Sequence, residues 1–384
     1  MGEADNAPLR GLKVAVHANG VAAAYAARQL GTMGADVLLV EAPAGCALRR
    51  LPPLVGDGGD GAAFAYLMAG ARSVVCDLST SAGQSGLRAL LSESDIFIDD
   101  TPVDQREGLG ISEAQLGADL PDLIHLSVLP FGSHGVKSGW KGEDLTIQHA
   151  SGEGNLLPNG LAVEMFPDRA PLKIYGSFGA MQGGVAAALG TLAALWARPD
   201  LGGQYIDISS QDAALAVGAF AIQRLGDGDV EHRVKRSFRY GGVIPCADGY
   251  VELLTLEQRQ WDGLVELLGR PDWALDPALE DSLERSRRGP EINRHIRAWA
   301  LERNVDDIVS AGQKLNVPLA RYKSPADILR DPHERHRGLF QPVDVEGAGL
   351  LDMLVSPAHF DDVPLSLRAG PPSLGEHGKL EEAA

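Results

Sequence analysis

The chain has 384 residues, of which 45% are hydrophobic and 22% charged, and its formal net charge is −18. These values are ordinary for a globular protein large enough to bury a substantial core. So acidic a surface argues against nucleic acid or an anionic membrane as a partner. The opening residues lack the pattern of a signal peptide, and three widely spaced cysteines, Cys46, Cys76 and Cys246, predict reduced thiols in a cytoplasmic protein.

The first part of the chain alternates short apolar segments with amphipathic ones. The segments read as strands are residues 11–16, 35–43, 73–77, 95–99 and 123–128, with helices at 21–34 and 80–92. Strands that alternate with helices in this way form parallel pairs joined by right-handed crossovers. The pattern therefore predicts an α/β fold with a doubly wound, Rossmann-like sheet.

The longest predicted helix is an Ala/Gly/Leu-rich run over residues 180–196, and a strand follows at 204–209. A small-residue loop that begins near Pro171 precedes this helix. Glycine and polar residues interrupt the run before it reaches the ~18 apolar residues that a membrane span needs. The composition therefore favours a packed core helix.

From about residue 226 the pattern changes to a hairpin over 240–255, turning at Asp248 and Gly249, and then to helices at 256–268, 289–303 and 305–314. We therefore expect four regions. They are a large Rossmann-like domain over 1–225, a smaller α+β domain over 226–320, a return segment over 321–368, and a flexible Gly/Pro/Glu-rich tail over 369–384.

Common cofactor motifs are incomplete in this chain. After the first strand only Gly20 remains of the G-x-G-x-x-G loop that holds dinucleotides, although Glu41 ends the second strand, where a ribose-binding acid would lie. The pair His333 and His336 is read as an exposed polar segment, and no metal site is predicted. A nicotinamide-dependent enzyme is therefore disfavoured.

Several segments, in order, are similar to those of the family III CoA-transferases, the CaiB/BaiF family. They include LGTMGADVLLVEAPAG, RSVVCDLSTSAGQSG, GEDLTIQHASG and the run from Ala170 to Ala213. The resemblance covers some 350 residues of the chain. It implies an interlocked dimer in which each subunit has a Rossmann-like large domain and a smaller α+β domain. It also implies that coenzyme A is a substrate, with no cofactor bound tightly.

The family's nucleophile is an Asp in the loop before the Ala-rich helix, and its carboxylate attacks the acyl-CoA thioester. Counting from Pro171 or back from Gly184, the matching position is Ala180, or Gly179 if the loop slips by one residue. Neither side chain is a nucleophile, and no His stands in this segment to activate Ser177. We therefore predict that this chain has no catalytic residue of its own.

The resemblance also implies a reduced CoA site. Five positions could still border CoA as vestigial contacts: Asn19, Gly20, Val21, Arg72 and Lys141. At Ala71, Asp100 and Pro102, by contrast, groups that attract phosphates in the family are replaced. An aspartate beside phosphates opposes their binding, and an alanine removes an attraction.

These departures predict the non-catalytic subunit of a heteromeric CoA-transferase, with a homologous Asp-bearing chain as its partner. Resemblance to heteromeric members implies succinyl-CoA as donor and an aryl-substituted succinate as acceptor. One alternative is a homodimeric CoA-ester-binding or regulatory pseudoenzyme. Another is a transferase that uses a different carboxylate, Glu164 or Asp168. The family's racemase branch is disfavoured, because Glu143 stands where its His would be.

Overall fold

The computed structural model describes residues 7–157, 168–170, 172–218, 240–361 and 363–380. The chain forms two compact units. The first is built from Met1–Asn155, Leu172–Val230 and Asp331–Ala384, and the second from Leu156–Pro171 and Glu231–Arg330. The chain therefore leaves the first unit and later returns to it. The boundary predicted at 225/226 lies outside the described residues.

Six parallel strands form the centre of the first unit, in the order β3-β2-β1-β4-β5-β6. They are β1 Lys13–His17, β2 Asp36–Glu41, β3 Arg72–Val75, β4 Ile96–Asp99, β5 Ile124–Leu129 and β6 Tyr205–Ser209. The predicted doubly wound α/β fold is confirmed. β5 is buried at every position, as expected of a strand covered on both faces.

Helices cover both faces of this sheet. Those of the first unit are α1 Val21–Thr32, α2 Ala62–Leu67, α3 Ser81–Ser92, α4 Val103–Arg106, α5 Glu113–Asp119, α6 Asp144–Ala150, α7 Phe178–Leu201 and α8 Ser210–Gly218. Val14 and Val16 of β1 share a core with α1 and α7, whereas Ala15 belongs to a second core with residues of α3 and α5. The alternation of side chains along the strand produces these two layers.

α7 lies close against α1. A Cβ atom at Gly184 would lie 2.7 Å from the Ala22 carbonyl oxygen and 2.9 Å from the Tyr25 Cβ atom. Only glycine fits there without moving a helix. Among the described residues α7 is also the one helix long and apolar enough to cross a membrane by length and composition alone. Its Ala187 and Ala194 are buried in the core shared with α1.

The second unit contains a small antiparallel sheet, in the order β7-β8-β9, packed with helices. Its elements are β7 Gly242–Cys246, β8 Gly249–Leu253, α9 Gln258–Leu267, α10 Ser282–Arg287, α11 Gly289–Ala300, α12 Val305–Lys314, β9 Leu319–Arg321 and α13 Pro325–Arg330. The predicted hairpin is confirmed, with Cys246 opposite Gly249 across its turn. Trp261, Ile292 and Val305 are buried in the core of this second unit.

The returning chain adds α14 Pro332–His336 and the antiparallel pairs β10 Phe340–Val345 with β11 Gly349–Leu354, and β12 His359–Phe360 with β13 Val363–Pro364. The segment predicted as a flexible tail differs from that expectation. The His377 N–H donates to the Ser73 carbonyl at 2.9 Å, Lys379 forms a bridge with Val75, and Leu380 packs on a buried core. Hydrogen bonds to the open edge of β3 therefore order residues 370–380 despite their composition.

Candidate functional site at the switch point and the head of helix α7

The strand order reverses between β1 and β4. His17, the last residue of β1, is the register partner of Asp99, the last residue of β4. In a sheet of this order the crossovers from the two strands leave in opposite directions, and a crevice is expected beyond their carboxyl ends. In doubly wound sheets, ligands bind in this crevice. The predicted residues Asn19, Gly20 and Val21 follow β1 directly and form the start of α1.

A carboxylate of the chain itself occupies this start of α1. The Asn19 N–H donates to Asp100 Oδ1 and Oδ2 at 3.0 and 2.9 Å, and the Gly20 N–H donates to Oδ2 at 2.5 Å. The free N–H groups at a helix start are the ones that would otherwise bind a phosphate. In this chain Asp100 accepts from the N–H groups of Asn19 and Gly20, the two residues that directly precede α1, and places a negative charge at the predicted CoA contact.

The environment of Asp100 also changes its acidity. Burial raises the pKa of its carboxyl group to about 6, against the opposing effect of the N–H groups of Asn19 and Gly20 and of nearby His17. The group is therefore largely ionised at pH 7.5 and largely neutral at pH 5. The Asn19 side chain is itself engaged, since its Oδ1 accepts from the Ala47 N–H at 3.0 Å.

The other two predicted contact residues are not joined to this loop by the hydrogen bonds and ion pairs of the described residues. The Arg72 guanidinium pairs with Asp36, at 2.7 Å between Nη2 and Oδ2. Asp36 is the first residue of β2, so this guanidinium lies at the end of the sheet where the strands begin, away from their carboxyl ends. Lys141 is exposed in the segment before α6.

Glu41, at the end of β2, is held inside the protein. Its Oε2 accepts from Arg49 Nε and its Oε1 from Arg49 Nη2, both at 2.7 Å, and Oε1 also accepts from the Ser73 hydroxyl at 2.6 Å. Burial alone would raise the pKa of Glu41, but the hydrogen bonds from Arg49 and Ser73 hold it below its ordinary value. Glu41 is thus a structural anion whose two oxygens are occupied by donors of the protein itself.

The second part of the site is the head of α7, where the family nucleophile would stand. Ala180 lies in the first turn of this helix and is buried. Its N–H donates to Asp144 Oδ1 at 3.0 Å. A Cβ atom at Gly179 would lie 3.0 Å from Ile147 Cγ2 and 3.1 Å from Gln148 Cγ, so a larger side chain there would press on α6.

Asp144 and Lys173 are the residues of this site that sequence reasoning missed. Asp144 Oδ2 accepts from Lys173 Nζ at 2.9 Å and from Gln148 Nε2 at 3.0 Å. Both carboxylate oxygens are therefore occupied by donors. The GEDLT segment drew attention as a family match, but nothing in the sequence indicated that its Asp144 reaches a residue 36 positions later.

The sequence offers two other carboxylates as candidate nucleophiles, Glu164 and Asp168. Asp168 is exposed, and Glu164 lies outside the described residues. Glu143 begins α6 as its N-cap residue, and its N–H donates to Thr146 Oγ1 at 2.7 Å. Within the described ranges no group of three or more His, Cys, Asp or Glu side chains is arranged to hold a metal ion.

Comparison with known proteins shows which chains this one is similar to. The sequence model of "CoA-transferase family III" matches residues 9–378. The chain is 30% identical to the succinyl-CoA:(R)-benzylsuccinate CoA-transferase subunit BbsE of Thauera aromatica, over 92% of this chain and 88% of that protein. It is 28% identical to the succinyl-CoA:mesaconate CoA-transferase of Haloarcula hispanica, over 93% and 91% of the two chains. A CAIB/BAIF family protein from Brucella suis superposes with a TM-score of 0.84 and 28% identity, over 97% of this chain and 98% of that one.

Proposed function

Because the chain belongs to CoA-transferase family III, we propose that it is the non-catalytic subunit of a heteromeric CoA-transferase. The observation that carries the proposal is the head of α7. There Ala180 stands at the position that the family resemblance gives to the nucleophile, and the nearby carboxylate of Asp144 forms an ion pair with Lys173. CoA transfer needs a free carboxylate to form the acyl-enzyme anhydride and then the enzyme–CoA thioester. In our proposal, a homologous partner chain supplies that carboxylate.

The switch-point crevice supports the same role. Two backbone N–H groups that could bind a phosphate already hold the Asp100 carboxylate. A bound CoA would have to place its negative phosphates beside this charge, which lowers affinity. We therefore infer that the chain binds CoA weakly and that acyl-CoA and the acceptor acid are handled at the partner's site.

An exposed apolar face on α7 supports the need for a partner. Val185, Leu189 and Trp196 are 53%, 68% and 89% exposed, and their spacing of four and seven residues puts them on one side of the helix. Monomeric proteins rarely leave such a row of large apolar side chains in water. We propose that this face packs against the homologous subunit in the interlocked dimer that the family resemblance implies.

The substrates that we propose for the complex are based on the names of its relatives. The names of the Thauera aromatica and Haloarcula hispanica proteins both contain succinyl-CoA as donor, and the first contains an aryl-substituted succinate as acceptor. We therefore propose succinyl-CoA and an aryl-substituted succinate for the complex. A cytoplasmic location is part of the proposal and fits the buried positions of Cys46, Cys76 and Cys246, none of which is in a disulfide.

Native mass spectrometry of the chain purified from its own cells tests the proposal. We expect a complex with a second chain of similar size, and peptide sequencing should find an Asp in that chain at the position matching Ala180. A homodimer without a second chain would contradict the heteromeric role and favour the pseudoenzyme alternative. Transferase activity in the purified chain alone would contradict both.

A further inference from the structure

A buried arginine contacts the turn that carries Asp100. Arg106 is the last residue of α4, and only 3% of its surface is exposed. Its Nη2 atom lies 3.5 Å from Oδ1 of Asp99, the last residue of β4, which is fully buried. Because a buried charge is costly without a partner of opposite sign, this ion pair ties the guanidinium to the end of β4.

The guanidinium contacts the chain on both sides of Asp100. On one side it pairs with the Asp99 carboxylate. On the other side Arg106 Nε donates to the Thr101 carbonyl oxygen at 2.8 Å. The two flanking residues are also joined to each other, because the Thr101 N–H donates to Asp99 Oδ1 at 2.8 Å. The backbone of Asp100 is therefore held between two fixed neighbours.

Two further strands anchor the same guanidinium. Arg106 Nη2 donates to Ser127 Oγ at 2.7 Å, and Nη1 donates to the Tyr205 hydroxyl at 2.9 Å. Ser127 is the register partner of Asp99 in β5, and Tyr205 is the first residue of β6. Each nitrogen of the planar fork thus has an acceptor, which fixes its position. A lysine ammonium group, with one nitrogen on a flexible stem, cannot hold all these points at once.

The position of this turn decides where the Asp100 carboxylate lies. Its Oδ2 atom accepts from the N–H groups of Asn19 and Gly20, which are about 80 residues away in the chain, so no local structure brings them together. We propose that Arg106 is a positioning residue: it holds the turn so that the Asp100 carboxylate stays on these N–H groups and opposes a phosphate there. The inference rests on the proposed weak binding of CoA at the crevice.

Arg106→Lys tests the positioning directly, because it keeps a positive charge and removes the fork. The ¹H–¹⁵N spectrum of the full-length chain reports the amide signals of Asn19 and Gly20, which donate to Asp100. Since the pKa of Asp100 is raised to about 6, both signals should shift in the unchanged chain between pH 7.5 and pH 5. In Arg106→Lys these shifts should be largely lost. Arg88→Lys makes the same substitution at a half-buried position of α3 and should leave them unchanged.

Calorimetry with CoA supplies a second readout that a merely structural role would not move. Arg106→Lys should tighten CoA binding about threefold at pH 7.5, because the displaced Asp100 carboxylate no longer opposes a phosphate before α1. In the Asp100→Asn background the same substitution should give no further tightening, since the effects of two coupled residues do not add. A general loss of structure would instead change the affinity by the same factor in both backgrounds, which would contradict the proposal.

Tyr205→Phe is the milder variant, because it removes one acceptor of the fork and keeps the aromatic ring. It should reduce the pH-dependent shifts of the Asn19 and Gly20 signals in the same direction. The proposal is overturned if these signals titrate as in the unchanged chain in Arg106→Lys or, where that variant does not fold, in Tyr205→Phe. If Asp100→Asn leaves CoA affinity unchanged, the proposed role of the crevice fails, and the amide signals still decide whether the turn is held by the arginine.

Discussion

Asp100→Asn should remove the negative charge that opposes a phosphate at the start of α1. The asparagine Oδ1 atom can still accept from the Asn19 or Gly20 N–H, whose distances to Asp100 Oδ2 are 2.9 and 2.5 Å, so α1 keeps a cap. What changes is the charge. For a phosphate about 7 Å away, one unit charge is worth roughly 0.6 kcal/mol at the dielectric constant of water and roughly 2.4 kcal/mol at an effective value of about 20.

These limits correspond to CoA binding that is about 3-fold to 60-fold tighter in the variant. Calorimetry at low ionic strength measures it, and added salt should reduce the difference because it screens exposed charges. Asp104→Asn is the matched control: it removes the same charge from an exposed position in α4 and should change affinity far less.

The pH dependence of CoA binding tests the same prediction independently. Because the pKa of Asp100 is raised to about 6, the carboxyl group of the unchanged chain becomes neutral as the pH falls from 7.5 to 5. CoA should then bind this chain more tightly, relative to the variant, at pH 5 than at pH 7.5. Equal affinities of the two proteins at both pH values would refute the reasoning that Asp100 blocks the crevice.

Three further perturbations test other parts of the account. Asp144→Ala removes the acceptor of the Ala180 N–H and the partner of Lys173. The free energy of unfolding, measured in urea, should therefore fall by about 1–2 kcal/mol. An unchanged value would contradict the role of Asp144 in capping α7. Gly184→Ala should lower the free energy of unfolding by about 1–3 kcal/mol, because the new Cβ atom would press on α1. Gly190→Ala in the same helix is the control: its Cβ atom would lie 3.4 Å from Ile206 Cγ2, so the substitution should be neutral or stabilising. Equal effects of the two substitutions would argue against the close contact between the helices. Trp196→Asp should leave the stability of the isolated chain within about 0.5 kcal/mol and weaken subunit association in analytical ultracentrifugation, while unaltered association would exclude this face from the interface.

Sequence patterns predicted the elements of the fold well, because periodicity and turn residues are local. The parallel strands, the hairpin and the helix at 305–314 agree with the structure. The helix predicted to end at residue 34 ends at Thr32, since Gly34 has a φ of 106° and turns the chain toward β2. Composition failed for the tail, whose order comes from hydrogen bonds to a distant strand edge.

The candidate site was predictable only in part. The absence of a nucleophile at Ala180 could be inferred by counting along one segment, and the charge at Asp100 could be noticed. The capping of α1 by Asp100 and of α7 by Asp144 joins residues about 80 and 36 positions apart, and such contacts depend on the completed packing. The direction of the Arg72 side chain, set by Asp36, likewise has no local signal.

The most direct test of the central claim is to trap the covalent intermediate in the purified complex. The complex is incubated with succinyl-CoA and then with hydroxylamine, and the intact mass of each subunit is measured. Because Ala180 offers no carboxylate and both oxygens of Asp144 are held by donors, only the partner chain should gain the hydroxamate mass. A hydroxamate on this chain would contradict the account.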